Sequence, residues 1–397
     1  MNLGELHRRD YGRILASLIR VVRDFTLAED ALQDAFAAAH VQWAESGVPG
    51  NPVGWLLATA RHRAIDQIRR RELHARKQEQ IGLMIAPDEL MPAPHDTLRL
   101  IFTCCHPALA PEARVALTLR LLGGLTVAEI AQAFLVPETT MAQRITRAKK
   151  KISVAKIPYR VPEADDLPRR LAGVLAVVYL VFNEGYLSSS ADAPPIREEL
   201  TAEAIRLGRI LRQLLPDVPE VAGLLALMLL TESRRTARVA RGELVPMYEQ
   251  DRGAWDRSLI AEGHGLVREC LAAGRPGPYQ LQAAINAVHT DAPTASATDW
   301  SQVAALYDQL RVIAPSPFVE LNRAVAIAEL DGPEVALAIV DRLDLAAYHA
   351  WHATRADLLR RLGRSAESRA AYDAAIAATD NVAEVAYLSR RRDQLAG

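Results

Sequence analysis

Cysteine is scarce in this chain: Cys104, Cys105 and Cys270 are its three thiols among 397 residues. An odd number without CxxC spacing supplies neither a disulfide framework nor an ordinary structural zinc module. Cys104, Cys105 and His106, with His95 upstream, have metal-ligating side chains, but adjacent side chains diverge on a helix. They are read as buried thiols beside a helix start, with no metal and no cofactor. Long apolar runs are also missing. Residues 171–182 and 221–230 fall short of the roughly 20 residues a membrane span needs, and read as buried helices. Glu5, Arg8, Arg9 and Asp10 stand where a signal peptide carries its apolar core, so a cytoplasmic protein without membrane association is expected. Asn183, Glu184, Gly185 and Tyr186 follow an apolar run, yet no His, Cys or second carboxylate stands at a recognisable catalytic spacing. Gly185 is read as a helix stop and no enzyme is expected. Charge of one sign is lacking too: 47 Lys and Arg against 48 Asp and Glu leave a net charge of -1, against a protein that coats nucleic acid. What is present, 50% hydrophobic and 24% charged residues, is the composition of a folded protein of two or three domains.

The charge is segregated. Residues 1–156 hold 21 basic and 16 acidic side chains, and the remainder holds 26 and 32, so a +5 front precedes a -6 back. Basic residues of the front cluster at Arg61, Arg63, Arg69, Arg70, Arg71, Arg76 and Lys77, and again at Arg144, Arg147, Lys149, Lys150 and Lys151. Two separated patches suit two contacts with a polyanion, and equally suit two solvated helix faces.

Ala and Leu recur at helical spacing with little β-branched alternation, so the whole chain reads as all-α without strands. Pro87, Pro92 and Pro94 mark one linker, and Pro158, Pro162 and Pro168 a second. The expected division is a module at 1–75, a linker at 76–95, a module at 96–155, a linker at 156–167, a helical extension at 168–275 and repeats at 276–397. Within the last, Arg355 and Ala356, Gly363, then Ala371, Tyr372 and Ala375 follow a tetratricopeptide (TPR) layout of helix, tight turn and second helix. Arg323, Ala324 and Gly332 through Val340 repeat the scheme, and Ala305, Leu306 and Tyr307 suggest a third copy. The polar residues Glu249, Gln250, Asp251, Arg252 and Asp256 around Trp255 are expected to organise an interdomain or interhelix contact rather than a ligand site.

Three segments carry chemistry. Residues 125–152, LTVAEIAQAFLVPETTMAQRITRAKKKI, read as a helix-turn-helix. Thr126 and Glu129 form a capping box, and Val127, Ile130, Ala131 and Phe134 give a short amphipathic helix. Pro137 starts a second helix, with Met141, Ile145, Ala148 and Ile152 as its buried stripe and Thr140, Gln143, Arg144, Arg147 and Lys151 facing outward. Such a face suits the major groove, with Gln and Arg for base edges and Lys for phosphate; its bland counterpart is a charged helical hairpin. Residues 54–71, GWLLATARHRAIDQIRRR, place Arg63, Asp66, Gln67 and Arg70 on one face and Leu57, Ala64, Ile65 and Ile68 inward. Beside Trp55 and the turn through Asn51, this helix suits a strand held by its phosphates while a base is captured; a salt-bridged surface helix is the alternative. Residues 26–36, TLAEDALQDAF, offer Thr26 and Glu29 as a capping box, then Asp30, Gln33 and Asp34 on one acidic face that suits a protein partner. Acids compensating the helix dipole are the simpler account.

In this order the three segments resemble bacterial RNA polymerase sigma factors of the extracytoplasmic-function (ECF) type, over about residues 5–153. The resemblance implies that Asp30, Gln33 and Asp34 dock on core RNA polymerase. It implies minus-ten recognition and melting by Asn51, Trp55, Arg61, Arg63, Asp66, Gln67, Arg70 and Arg71. It further implies promoter contacts at minus thirty-five by Thr126, Thr139, Thr140, Gln143, Arg144, Arg147 and Lys151. Residues 98–109 (LRLIFTCCHPAL), 178–186 (VYLVFNEGY) and 224–235 (LLALMLLTESRR) with the terminal repeats resemble the branch with a long TPR-containing extension. That branch implies regulation in cis or through a protein held by the TPR-like domain. Ala142 and Gln143 depart from the basic and small hydroxyl residues usual in the family, so no promoter sequence is transferred. A stand-alone helix-turn-helix regulator with a TPR sensor is the competing function; the acidic face at Asp30 and Asp34 separates the two, because only a sigma factor needs it.

Overall fold

The computed structural model describes residues 3–74, 93–134, 136–186, 196–240 and 242–396. Among them the chain is all-α except for one short hairpin, β1 (Val239–Ala240) paired antiparallel with β2 (Glu243–Leu244), a departure from the strand-free expectation. Two compact units divide the chain, Met1–Val178 and Tyr179–Gly397. None of the described helices is long and apolar enough to cross a membrane.

In the first unit, α1 (Leu3–Val22), α2 (Phe25–Ser46) and α3 (Pro52–His74) pack together, followed by α4 (Pro94–Cys104), α5 (Pro111–Leu121), α6 (Val127–Ala133) and α7 (Glu138–Val154). Helix α1 buries Leu6, Tyr11, Ile14, Leu15, Leu18 and Ile19, the stripe its apolar spacing dictates. Prolines open α3, α4 and α5, where a missing N–H costs nothing. Although 1–75 and 96–155 read as separate modules, α1 packs on both α4 and α5. A Cβ on Gly12 would stand 2.6 Å from the carbonyl oxygen of Leu122, so α1 and the end of α5 meet at backbone distance. Cys104 ends α4 and Cys105 caps it, so the thiols close a helix where a helix start was expected. Both are buried, and burial pushes Cys105 up to about 11 and Cys104 well above its ordinary value, which keeps them protonated and unreactive.

Helix α8 (Leu167–Tyr186) leads to the second unit, with α9 (Glu198–Leu214) and α10 (Pro219–Glu232). Helix α10 is buried from Val221 to Glu232, as its unbroken apolar run requires. The short α11 (Arg235–Arg238) precedes the hairpin, and α12 (Arg257–Ala273) and α13 (Pro278–Asp291) pack on α10. Gly185 is the penultimate residue of α8, and its lack of a side chain also serves a crossing. A Cβ there would meet the Thr201 amide nitrogen at 2.6 Å, so the glycine lets the start of α9 cross α8, and Arg197 N–H donates to the Gly185 carbonyl. Glu184, the carboxylate beside it, pairs with Arg197 at 3.6 Å.

From α14 (Trp300–Ile313) the chain is a succession of helices, α15 (Pro317–Leu330), α16 (Pro333–Val340), α17 (His349–Arg361), α18 (Ser365–Ala377) and α19 (Val382–Asp393). The turns at Gly332 and Gly363 have φ of 92° and 73°, and Ala324, Ala336, Ala356, Ala371 and Ala375 share one core with Tyr372. Asp251 and Asp256 cap the helical turns that follow them, while Arg252 donates to the carbonyls of His289 and Ala292 at the end of α13. The polar cluster thus makes the interhelix contact read from sequence. His289, edge-on to Trp300, is lowered to about 4 by burial and by Arg234 and Arg252. Below the unfolded value near 6.5 the unfolded chain binds the proton and the folded one resists it. Stability is therefore full above pH 6.5 and falls towards pH 4, by about 3 kcal/mol from this group. Urea unfolding of His289→Asn against the parent across that window should show a shallower loss in the variant.

Candidate nucleic-acid interface

The helix-turn-helix is built as its sequence dictates. Thr126 Oγ1 accepts from the Glu129 amide at 3.1 Å while the Thr126 amide donates to Glu129 at 2.6 Å, the reciprocal capping box that starts α6. Pro137 is the N-cap of α7, and Met141, Ile145, Ala148 and Ile152 are its buried residues. Thr139, Thr140, Gln143, Arg147 and Lys151 are exposed and Arg144 is half-buried. The six therefore lie on the outward part of α7; the Thr126 hydroxyl is occupied by its cap.

Helix α3 is capped by Asn51, whose side chain accepts from the Gly54 amide at 2.9 Å. The half-buried Trp55 ring stands edge-on to Trp43 at 5.3 Å. Arg63 and Asp66 are exposed, Arg61 and Gln67 half-buried, and Leu57 and Ala64 face the core. The side chains of Arg69, Arg70 and Arg71 lie outside the described residues, as do Arg76 and Lys77.

The acidic face is present, with a corrected origin. Asp24, not Thr26, is the N-cap of α2, accepting from the amides of Thr26 at 2.9 Å and Leu27 at 3.0 Å. Asp30, Gln33 and Asp34 are exposed. Glu29, freed from capping, is 3% exposed and accepts from Arg120 Nε of α5 at 2.5 Å and from Lys149 Nζ of α7. A second buried carboxylate does the same at the start of α4. Asp96, 0% exposed, accepts from Arg20 at 3.1 Å, Arg99 at 2.9 Å and Ser17 at 3.2 Å. Sequence reasoning missed both clusters; Glu29 wore the pattern of a capping box, and Lys149 had been counted with a solvated basic patch.

Residues 6–73 match the family described as Sigma-70 region 2, and residues 99–152 match Sigma-70, region 4. The chain carries both Sigma-70 regions, 2 and 4, and the pair supports a sigma factor. In this sigma factor region 2 takes in nearly all of α1 to α3, and region 4 runs from within α4 into α7; Glu29 of region 2 holds Arg120 and Lys149 of region 4, and Asp96, just ahead of region 4, joins Arg20 to Arg99. Residues 170–271 match a family of unknown function, DUF6596. The sigma factor is 43% identical over 395 residues to the Uncharacterized protein R00370 of Rhizobium meliloti (strain 1021), covering 96% of this chain and 93% of that one, and the two share a family along almost their whole length. It is 25% identical over 142 residues to the ECF RNA polymerase sigma factor SigK of Mycobacterium ulcerans (strain Agy99), covering 34% of this chain and 75% of that one. The SigK of Mycobacterium sp. (strain KMS) is 26% identical over 151 residues, covering 35% and 75%. No solved structure matches the sigma factor.

Proposed function

We propose that this sigma factor docks on core RNA polymerase through Asp30, Gln33 and Asp34 of α2 and uses α3 to open and hold the minus-ten element. In the same reading the outer face of α7 contacts duplex at minus thirty-five. The observation that carries it is α7 itself: one stripe is wholly buried while Thr140, Gln143, Arg147 and Lys151 all face solvent behind a capped α6. Arg144→Ala should weaken upstream duplex binding by roughly 1–3 kcal/mol if it reads a base, with discrimination lost at one position; a phosphate contact would lose affinity evenly across sequences. Titration of labelled duplexes differing at single positions measures which. Chain-dependent initiation by purified core polymerase tests the whole reading.

The two contacts also demand movement. Elements 25 base pairs apart are separated by about 85 Å of duplex at 3.4 Å per pair, whereas a unit of this chain length is roughly 40 Å across. Regions 2 and 4 must part before both elements are engaged, and the clusters at Glu29 and Asp96 are what must break.

For the second unit we propose a helical extension at 168–275 and TPR-like repeats at 276–397, regulating in cis or through a protein partner. Alanine-lined helix pairs turning at Gly332 and Gly363 support the repeat reading, and the -6 balance behind a +5 front supports the regulatory one. A chain ending at Val178, which keeps the first unit, should differ from the full chain in promoter-directed transcription. Equal activity and equal regulation would sink this role.

A further inference from the structure

Arg197, buried in the same unit, sits against the Glu184 carboxylate at 3.6 Å. Arg234 does not. It is 6% exposed, and its two terminal nitrogens donate to the Met247 sulfur and to Asn286 Oδ1, both at 2.9 Å, while its buried Nε meets no acceptor. Arg252 is likewise spent on backbone carbonyls and on the Trp255 ring, 4.6 Å away. Among the described residues neither guanidinium has a carboxylate within ion-pair distance. Trp255 is 3% exposed, and its indole Nε1 is a second buried donor without an acceptor.

These groups are held in one place. Residues 245–256 form a strap over α11, tied by the Val245 amide to the Arg238 carbonyl at 2.7 Å, by the Asp256 amide to the Ser233 carbonyl at 2.8 Å, and by Thr236 to the Ala254 carbonyl at 2.8 Å. Arg238, 7% exposed under the strap and stacked on Tyr186, adds a charge of the same sign. His289 beside them is kept neutral first by burial and then by the charges of Arg234 and Arg252. A guanidinium taken out of water is costly unless a counter-charge meets it, and Arg234 has only neutral acceptors. The half-buried Arg252, flanked by exposed Asp251, Gly253 and Ala254, leaves a way in from solvent.

We propose that the second unit carries an anion-binding site, built from Arg234, Arg252 and Trp255, that takes a small oxyanion. The anion supplies the missing counter-charge and accepts from Arg234 Nε and Trp255 Nε1. Thermal unfolding of the full chain in phosphate, in acetate and in chloride at equal ionic strength tests it. About 10 mM of the preferred oxyanion should raise the melting temperature by about 3–5 °C above chloride, and whether phosphate or acetate does so tells a phosphoryl from a carboxylate ligand. Trp255→Phe, which keeps an aromatic ring and deletes the N–H donor, and Arg252→Gln should each remove most of that rise whatever their own baseline stability. No rise above chloride with either anion, or a rise undiminished in both variants, would overturn the site.

Discussion

Reversing the charge at Asp30 and Asp34 together should lower affinity for core RNA polymerase by about 100-fold or more, while helix content and melting should stay near those of the parent. Both side chains are exposed on α2, and surface substitutions of this kind cost little stability. A docking surface that complements them meets two like charges instead, and such juxtapositions cost several kcal/mol. The loss should lie mainly in the association rate and shrink at high salt, because exposed charges steer encounters and are screened. Surface-immobilised core polymerase with the sigma factor in solution gives both rates. Intact binding by the reversed variant would favour a regulator that acts without replacing a sigma factor.

Glu29→Gln should loosen the first unit by roughly 3–5 kcal/mol of region 2 to region 4 contact. The carboxylate is 3% exposed and holds two cations; removing it leaves Arg120 and Lys149 facing each other with no counter-charge, the costly way to break a buried pair. The neighbouring Asp96 cluster remains, so the unit should open before it unfolds. Fluorophores at exposed positions on α3 and α7, such as His62 and Thr146, should report a longer mean separation in Glu29→Gln than in the parent. An unchanged separation with lowered melting would make Glu29 a purely structural ion pair.

Local signals were legible in the sequence, and long-range ones were not. The capping box at Thr126 and Glu129 and the buried stripe from Met141 to Ile152 both follow from spacings within about three turns of helix, and both stand as read. The same Thr-x-x-Glu pattern misled at Thr26 and Glu29, because Asp24, two residues earlier, took the cap and left the glutamate for partners 91 and 120 residues away. No periodicity encodes such a pairing. Gly185 shows the same limit: a glycine near the end of an apolar run reads as a stop, and its further use in the crossing of α9 is a contact only tertiary structure creates. The near-zero net charge, at first evidence against nucleic acid, resolves into a basic front matching two sigma regions and an acidic extension.

The central claim is two spaced promoter contacts made by one chain on core polymerase, and run-off transcription from a randomised promoter library tests it most directly. The account predicts transcripts that depend on the sigma factor, from templates enriched at two short elements about 25 base pairs apart, with Arg144→Ala relaxing the upstream element alone. Transcription indifferent to the added chain, or enrichment at a single element, would contradict it.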